Sequence, residues 1–257
     1  MFRVVIPARF ASARLPGKVL LTIGGRPMLH WVCDRARAAG AEQVVVATDD
    51  ERIRASAEQA GVQCVMTASS HLSGTDRIAE AARTLQWAHT DVIVNLQADE
   101  PLMPPALVGQ VARLLQDHAN ADIATLAAPV ASLAEFLDPN AVKVVLAQDG
   151  RALLFSRAPI PWDRDGAKEH VPGPDSYHGA LRHIGLYAYR VQSLLRMSQL
   201  PPAALELREK LEQLRALAHG MQIQVAIAAL RPGVDVNTAA DLERIRALLE
   251  GETHGSR

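Results

Sequence analysis

Residues 91–96 read DVIVNL and run straight into QADEP, 97–101; this stretch decides the architecture. Four of its first six residues are apolar, and three of them run together rather than alternating with polar ones, the pattern of a strand covered on both faces. Three earlier runs have the same character: FRVVIP at 2–7, QVVVAT at 43–48 and VQCVM at 62–66. Between them lie helical patterns. One begins with Pro27 in its first turn, carries Met28, Val32, Ala36 and Ala39 on one face and stops at Gly40, as a proline start and a glycine stop predict. A second lies around Ile53 and Ala57 and ends at Gly61, and a third over 75–87 carries Ile78, Ala81, Ala82 and Leu85. Short buried strands alternating with amphipathic helices predict a doubly wound α/β fold on a mostly parallel sheet.

Downstream the pattern changes. After a helix near 107–115, AVKVVLA (141–147), the turn pair Asp149–Gly150 and RALLFS (151–156) predict an antiparallel hairpin. The stretch 159–177, rich in Pro, Gly and Asp, reads as a loop that could serve as a lid. HIGLYAYR (183–190) and IQVAIA (223–228) read as strands. Leu207, Leu211, Leu214 and Ala218 predict one helix over 205–218, and 241–249 a closing amphipathic helix. The expectation is one domain, 1–257, with an inserted antiparallel subregion at about 140–200.

The chain has 257 residues, 27 Lys and Arg against 28 Asp and Glu, and 49% hydrophobic residues. That balance gives no global basic field for nucleic acid or an anionic membrane. No apolar run approaches the ~20 residues that span a bilayer, and MFRVVIPARF lacks the layout of a secretory signal, so a cytoplasmic protein is expected. Cys33 and Cys64, the two cysteines, cannot build a disulfide framework or zinc cluster and are expected to be reduced thiols.

The first 33 residues contain Arg3, Arg9, Arg14, Lys18 and Arg26 and no acid. Arg9, Arg14 and Lys18 sit in ARFASARLPGK, 8–18, between the first strand and its helix, where open α/β sheets bind ligands. Clustered cations repel unless a multivalent anion sits among them, so a triphosphate fits there as well as a solvated basic loop does. The loop matches neither the P-loop nor the dinucleotide fingerprint. In a strand-like continuation of DVIVNL, Gln97 and Asp99 project the same way. Asp99 is then a candidate Mg²⁺ ligand, since Mg²⁺ takes one or two carboxylates and completes its shell with phosphate and water; alternatively Asp99 or Glu100 caps the helix near Pro104. Asp235 and Asn237 in PGVDVNTAADLE form a second candidate pair that could also belong to a helix cap. His183 and Tyr187 share strand parity and suit a pocket for a polyhydroxylated molecule. Glu212 and Gln213 lie off the Leu211–Leu214 face, where a solvated surface is the usual outcome. Arg157 could grip a carboxylate or pair with Asp163.

Taken in order, IPARFASARLPGK, VATDD, SGTDRIAEA, VIVNLQADEP, NAVKVV, LFSRAPIPWDRD, RHIGLYAYR and LEQLR resemble the bacterial 3-deoxy-manno-octulosonate (Kdo) cytidylyltransferases, from about Arg3 to Leu249. The basic loop and QADEP are shared with other sugar-acid cytidylyltransferases; the last three segments narrow the resemblance to the Kdo-activating branch. It implies transfer of CMP from CTP to the anomeric hydroxyl of Kdo for lipopolysaccharide assembly, on a fold like the nucleotide-sugar pyrophosphorylases, in a homodimer. It implies that Arg9, Arg14 and Lys18 hold the triphosphate, Ser73 and Gln97 touch the nucleoside, and Asp99 binds Mg²⁺. Arg157, His183, Tyr187, Glu212 and Gln213 would line the sugar site, with Arg157 or His183 near the sugar-acid carboxylate.

One departure matters. The family's GVDTPEDLE pattern reads GVDVNTAADLE here. Alignment on the helix puts Asn237 at the metal aspartate, and alignment on GVD keeps Asp235. Two rivals remain: a cytidylyltransferase for another sugar acid, such as sialic acid, and a nucleotide-binding regulator that has lost turnover, for which Asn237 is the support.

Overall fold

The structure, a computed structural model, describes residues 1–11, 15–71, 73–166 and 171–254. In chain order the elements are β1 (Arg3–Ala8), β2 (Thr22–Ile23), β3 (Arg26–Pro27), α1 (Met28–Ala38), β4 (Gln43–Thr48), α2 (Glu51–Gln59), β5 (Gln63–Met66), α3 (Gly74–Thr84), β6 (Val92–Asn95) and α4 (Pro105–Asp117). There follow β7 (Ile123–Pro129), α5 (Leu133–Leu137), β8 (Lys143–Leu146), β9 (Ala152–Ser156), β10 (Leu181–Arg190), α6 (Val191–Gln199), α7 (Ala204–Glu209), α8 (Gln213–Ala218), β11 (Ile223–Ile227) and α9 (Ala239–His254).

The main sheet runs β11-β7-β10-β6-β1-β4-β5, with β8 added on β10 and β9 on β8. The pairs β1–β4, β1–β6, β4–β5 and β11–β7 are parallel, whereas β10 is antiparallel to β6 and β7. The expected doubly wound sheet and antiparallel hairpin are both present, the hairpin as β8–β9.

Alternation along β1 shows why its run is unbroken. Val4, Ile6 and Ala8 enter one core with Leu29, Val32 and Ala36 of α1 and Leu107, Val108 and Val111 of α4. Val5 enters the opposite core with Ile78, Ala81 and Ala82 of α3 and Leu194 of α6. Both faces are dry, so every position after Arg3 is apolar. The chain leaves β1 toward β4 on one side and later returns to β6 on the other. This reversal is a topological switch point, and it opens a crevice at the carboxyl ends of β1 and β6 where ligands bind in such sheets. The loops that follow are the basic loop and QADEP, brought together from opposite sides.

The single helix expected over 205–218 is two. Between α7 and α8, Lys210 adopts a left-handed backbone (φ 54, ψ 48), a conformation costing a non-glycine residue about 1–2 kcal/mol. Leu207, expected inward, is exposed, whereas Leu211 and Leu214 are buried. Within α8 apolar spacing identified Leu214, but Ala218, expected on the same face, is exposed, and Gln213 and Ala216 are buried instead; nor could spacing foresee the polar anchors, described below, that break the helix.

Candidate active site

The first cavity, about 340 Å³, lies in the crevice and is lined by Pro7, Ala8, Arg9, Lys18, Gln97, Asp99 and Asn237 among others. That suits a nucleotide. Its basic wall is a loop closed at the base, where Gly17 N donates to Phe10 O at 2.9 Å. Gly17 is left-handed (φ +66), and a Cβ there would lie 2.8 Å from the Phe10 ring. The ring's neighbour is the Arg52 guanidinium, 3.4 Å from the centroid. These contacts deliver Lys18 to the cavity.

Lys18 Nζ donates to Asp99 Oδ2 at 2.5 Å and to Val236 O at 3.1 Å. Val236 N in turn donates to Asp99 O at 2.9 Å. The segment before α9 is thereby stitched to the QADEP turn, where Gly233 packs so closely on Leu102 that a Cβ would sit 2.4 Å from its carbonyl oxygen. Asn237 therefore shares the cavity with Asp99. Asp235 is exposed and accepts a hydrogen bond from Asn237 Nδ2, so of the two alternatives Asn237 is the one that lines the cavity. The capping alternative for Asp99 does not hold, because α4 has Pro104 at its N-cap and no side-chain cap. Thr238 caps α9: its Oγ1 accepts from Asp241 N, and Asp241 Oδ2 accepts from Thr238 N. Next to Asp99, burial and the charges of Asp99 and Asp235 push the Glu100 carboxyl up to about 8. Its Oε2 is buried without a hydrogen-bond partner.

The acid-free N-terminal run divides by role. Arg3 pairs with Asp91 at 2.7 Å and Arg26 with Asp34 at 2.7 Å, so both are structural. Arg9 and Lys18 face the cavity, and Arg14 lies outside the described residues.

A second cavity is lined by Thr75, Asn95, Gln97, Tyr187, Tyr189 and Lys210 to Gln213. Gln97 belongs to both, and its Nε2 donates to Asn95 Oδ1 at 3.0 Å. β6 ends at Asn95 and the chain turns at Ala98–Asp99, so a turn, not strand pleating, carries Asp99 into the first cavity. Two extra residues in β10 between Ile184 and Tyr187 keep parity. Tyr187 and Tyr189 therefore lie on one face, ring centroids 5.8 Å apart. Burial raises both phenols well above their ordinary range, so they remain protonated donors. Thr75 Oγ1 donates to Glu212 Oε2 at 2.6 Å, and Gln213, expected on a solvated face, is buried.

Two expected sugar ligands are elsewhere. Arg157 donates through Nε to Glu209 O at 2.7 Å and through Nη1 to Pro139 O at 2.8 Å; it neither lines the second cavity nor pairs with Asp163. His183 is buried behind Tyr187, with Nε2 2.9 Å from Thr125 Oγ1 and its ring centroid 5.2 Å from that of Tyr187. Burial, helped by the Arg182 charge, pushes its imidazole down to about 3, so it is neutral and offers a carboxylate no positive charge. Lys210 is the cation that does line this cavity.

A smaller recess beside the first cavity holds Arg9, His71, Ser73, Gly74, Arg77 and Gln97. Ser73 caps α3, its Oγ accepting from Asp76 N at 3.2 Å. The Arg77 guanidinium is buried, donating to Asp49 Oδ2 at 2.9 Å and to Thr67 Oγ1. Sequence reasoning missed Arg77, Thr75, Asn95, Tyr189 and Lys210. An arginine at an inward helical position, beside Ile78, was the available signal for the first.

A fold of this switch-point type with a basic loop facing an acidic turn defines a nucleotide-binding transferase. The chain matches the cytidylyltransferase family model over residues 3–223, and it belongs to that family. It is 52% identical over 248 residues to the 3-deoxy-manno-octulosonate cytidylyltransferase of Thioalkalivibrio sulfidiphilus, covering 96% of this chain and 98% of that one. With the protein of the same name from Cellvibrio japonicus it is 53% identical over 251 residues, covering 97% and 98%. A solved structure of CMP:2-keto-3-deoxy-manno-octonic acid synthetase complexed with CTP superposes with a TM-score of 0.87 at 40% identity, covering 98% of this chain and all of that one.

Proposed function

We propose that this chain transfers CMP from CTP to the anomeric hydroxyl of Kdo, releasing pyrophosphate. The observation that carries the reading is Gln97, shared by the basic cavity and the polar, tyrosine-lined one. A donor nucleotide in the first cavity and an acceptor sugar in the second would meet there. The relatives named above are Kdo cytidylyltransferases by name, and the solved structure named above is of a synthetase named for CMP and the same sugar acid, complexed with CTP.

Arg9 and Lys18, with Arg14 by resemblance, would hold the triphosphate. Lys18 would offset the charge that builds on the departing pyrophosphate, an interaction strongest in the transition state. Tyr187, Asn95, Glu212 and Gln213 would hydrogen-bond the sugar hydroxyls and orient the anomeric oxygen for in-line attack on the α-phosphorus. No residue need form a covalent bond. The donor set fits Mg²⁺: one carboxylate, Asp99, and one neutral amide, Asn237, line the first cavity together. When bound, Mg²⁺ would supply positive charge to the phosphates.

The protein would act in the cytoplasm, where its thiols stay reduced, in lipopolysaccharide assembly. It would act as a homodimer through the hairpin subregion, where Leu153 and Leu154 of the edge strand β9 are exposed. No helix among the described residues is long and apolar enough to cross a membrane. The test is pyrophosphate release with CTP, Mg²⁺ and either Kdo, sialic acid or no sugar acid, repeated with UTP. Release that needs both Kdo and CTP is expected. Silence with every sugar acid despite CTP binding would overturn the proposal in favour of a regulator.

A further inference from the structure

The break between α7 and α8 sits where the second cavity begins: Lys210 is left-handed, and residues 210–213 line the cavity. A strained residue persists only where its surroundings over-determine it, and here two carboxylates do so. Glu206 reaches across the break. Its Oε2 accepts from Ala203 N at 3.0 Å and from Arg215 Nε at 2.9 Å, and its Oε1 from Arg215 Nη2 at 2.5 Å. This pair fixes the angle between the two short helices.

Glu209 does something different, because its partners belong to the sheet. Its Oε1 accepts from Ser156 Oγ at 2.8 Å and its Oε2 from Arg157 N at 2.6 Å, while its carbonyl oxygen accepts from Arg157 Nε at 2.7 Å. Arg157 O accepts in turn from Lys143 Nζ at 2.9 Å, and that lysine is wholly buried. One residue before the break, the end of β9 is thus clamped to the helix pair by three hydrogen bonds.

We propose that Glu209 is a positioning residue for the acceptor: by tying the α7–α8 break to the end of β9, it sets where Glu212 and Gln213 stand in the second cavity. It does not itself line that cavity. The inference rests on the reading of the second cavity as the acceptor pocket. It also gives Arg157 a role other than the one expected of it, as a partner of the clamp.

The test compares the full-length wild type with Glu209→Ala, Glu209→Gln and Ser156→Ala. Initial rates are measured against Kdo at saturating CTP and against CTP at saturating Kdo, with the thermal midpoint of each variant. Loss of the clamp in Glu209→Ala is expected to raise KM for Kdo about tenfold and leave KM for CTP within about twofold. Glu209→Gln is expected to stay within about threefold of wild type, because its amide oxygen can accept from Arg157 N and its amide nitrogen can donate to Ser156 Oγ. Ser156→Ala is expected to raise KM for Kdo about threefold, by loss of one of the bonds. Unchanged KM for Kdo, or equal changes in both KM values, would overturn the proposal. So would a fall in kcat and thermal midpoint with both KM values preserved. If Glu209→Ala does not fold, Ser156→Ala decides the matter by the same split. Absence of turnover with Kdo in the wild type would instead remove the assigned reaction, so the two failures are distinguishable.

Discussion

Replacing Lys18 with Met removes one charge from the point where donor chemistry and the acidic turn meet. The ammonium contacts Asp99 at 2.5 Å, with 15% of the lysine side chain and 24% of the aspartate side chain exposed, so it acts in a partly desolvated setting. At an effective dielectric of about 20, a unit charge about 4 Å from a full negative charge is worth about 4 kcal/mol, or about three decades in rate. Only part of a charge develops on the leaving pyrophosphate, so a loss of ~10²–10³ in kcat is expected. Nucleotide affinity should fall much less, by under about tenfold, because Arg9 lines the same cavity and keeps its charge. Steady-state pyrophosphate release gives kcat, and calorimetric titration with CTP in the absence of sugar acid gives the affinity. Lys18→Arg, which keeps the charge, should recover part of the rate. Equal losses of kcat and CTP affinity in Lys18→Met would refute the reasoning and leave Lys18 a plain binding residue.

Three further outcomes follow from other residues. Asn237→Asp should lower the Mg²⁺ concentration needed for half-maximal rate several-fold, since a carboxylate replaces a neutral amide in the cavity; a shift seen instead on Asp235→Asn would move the metal role to Asp235. Gly17→Ala should destabilise the basic loop by about 1–3 kcal/mol and raise KM for CTP, because φ +66 and the Phe10 ring both resist a Cβ; wild-type kinetics would refute the packing argument. His183 is held neutral with its imidazole at about 3, against an ordinary value of 6.5. The unfolded chain therefore binds more protons between those values, and stability present above pH 6.5 is lost as pH falls toward 3. Urea midpoints across that range should fall less steeply in His183→Gln, and parallel slopes would count against the buried neutral imidazole.

The parallel half of the sheet was legible because β1, β4 and β6 are covered on both faces, which leaves unbroken apolar runs in sequence. The donor side was legible from local charge. Lys18 stands in a stretch with no acid to neutralise it, and its partner, Asp99, lies across the switch point. The acceptor side was not legible in the same way. His183 and Arg157 are residue types that bind carboxylates, but Phe155 and Tyr187 bury the first, and the carbonyls of Pro139 and Glu209 occupy the second. Thr75 and Tyr189 carry no pattern of their own and become site residues only when α3 and β10 meet. The α7–α8 break follows the same rule. Leu207, Leu211 and Leu214 have helical spacing, and the polar contacts of Glu206 and Glu209 override it through partners that local spacing does not reveal.

The central claim is direct transfer between two cavities that meet at Gln97, with no CMP-enzyme intermediate. Exchange of labelled pyrophosphate into CTP, measured with Mg²⁺ in the presence and absence of Kdo, tests it most directly. Label should enter CTP only when Kdo is present, because CMP leaves CTP only onto the sugar hydroxyl. Label entering CTP without any sugar acid would show CMP parked on the protein and contradict the account.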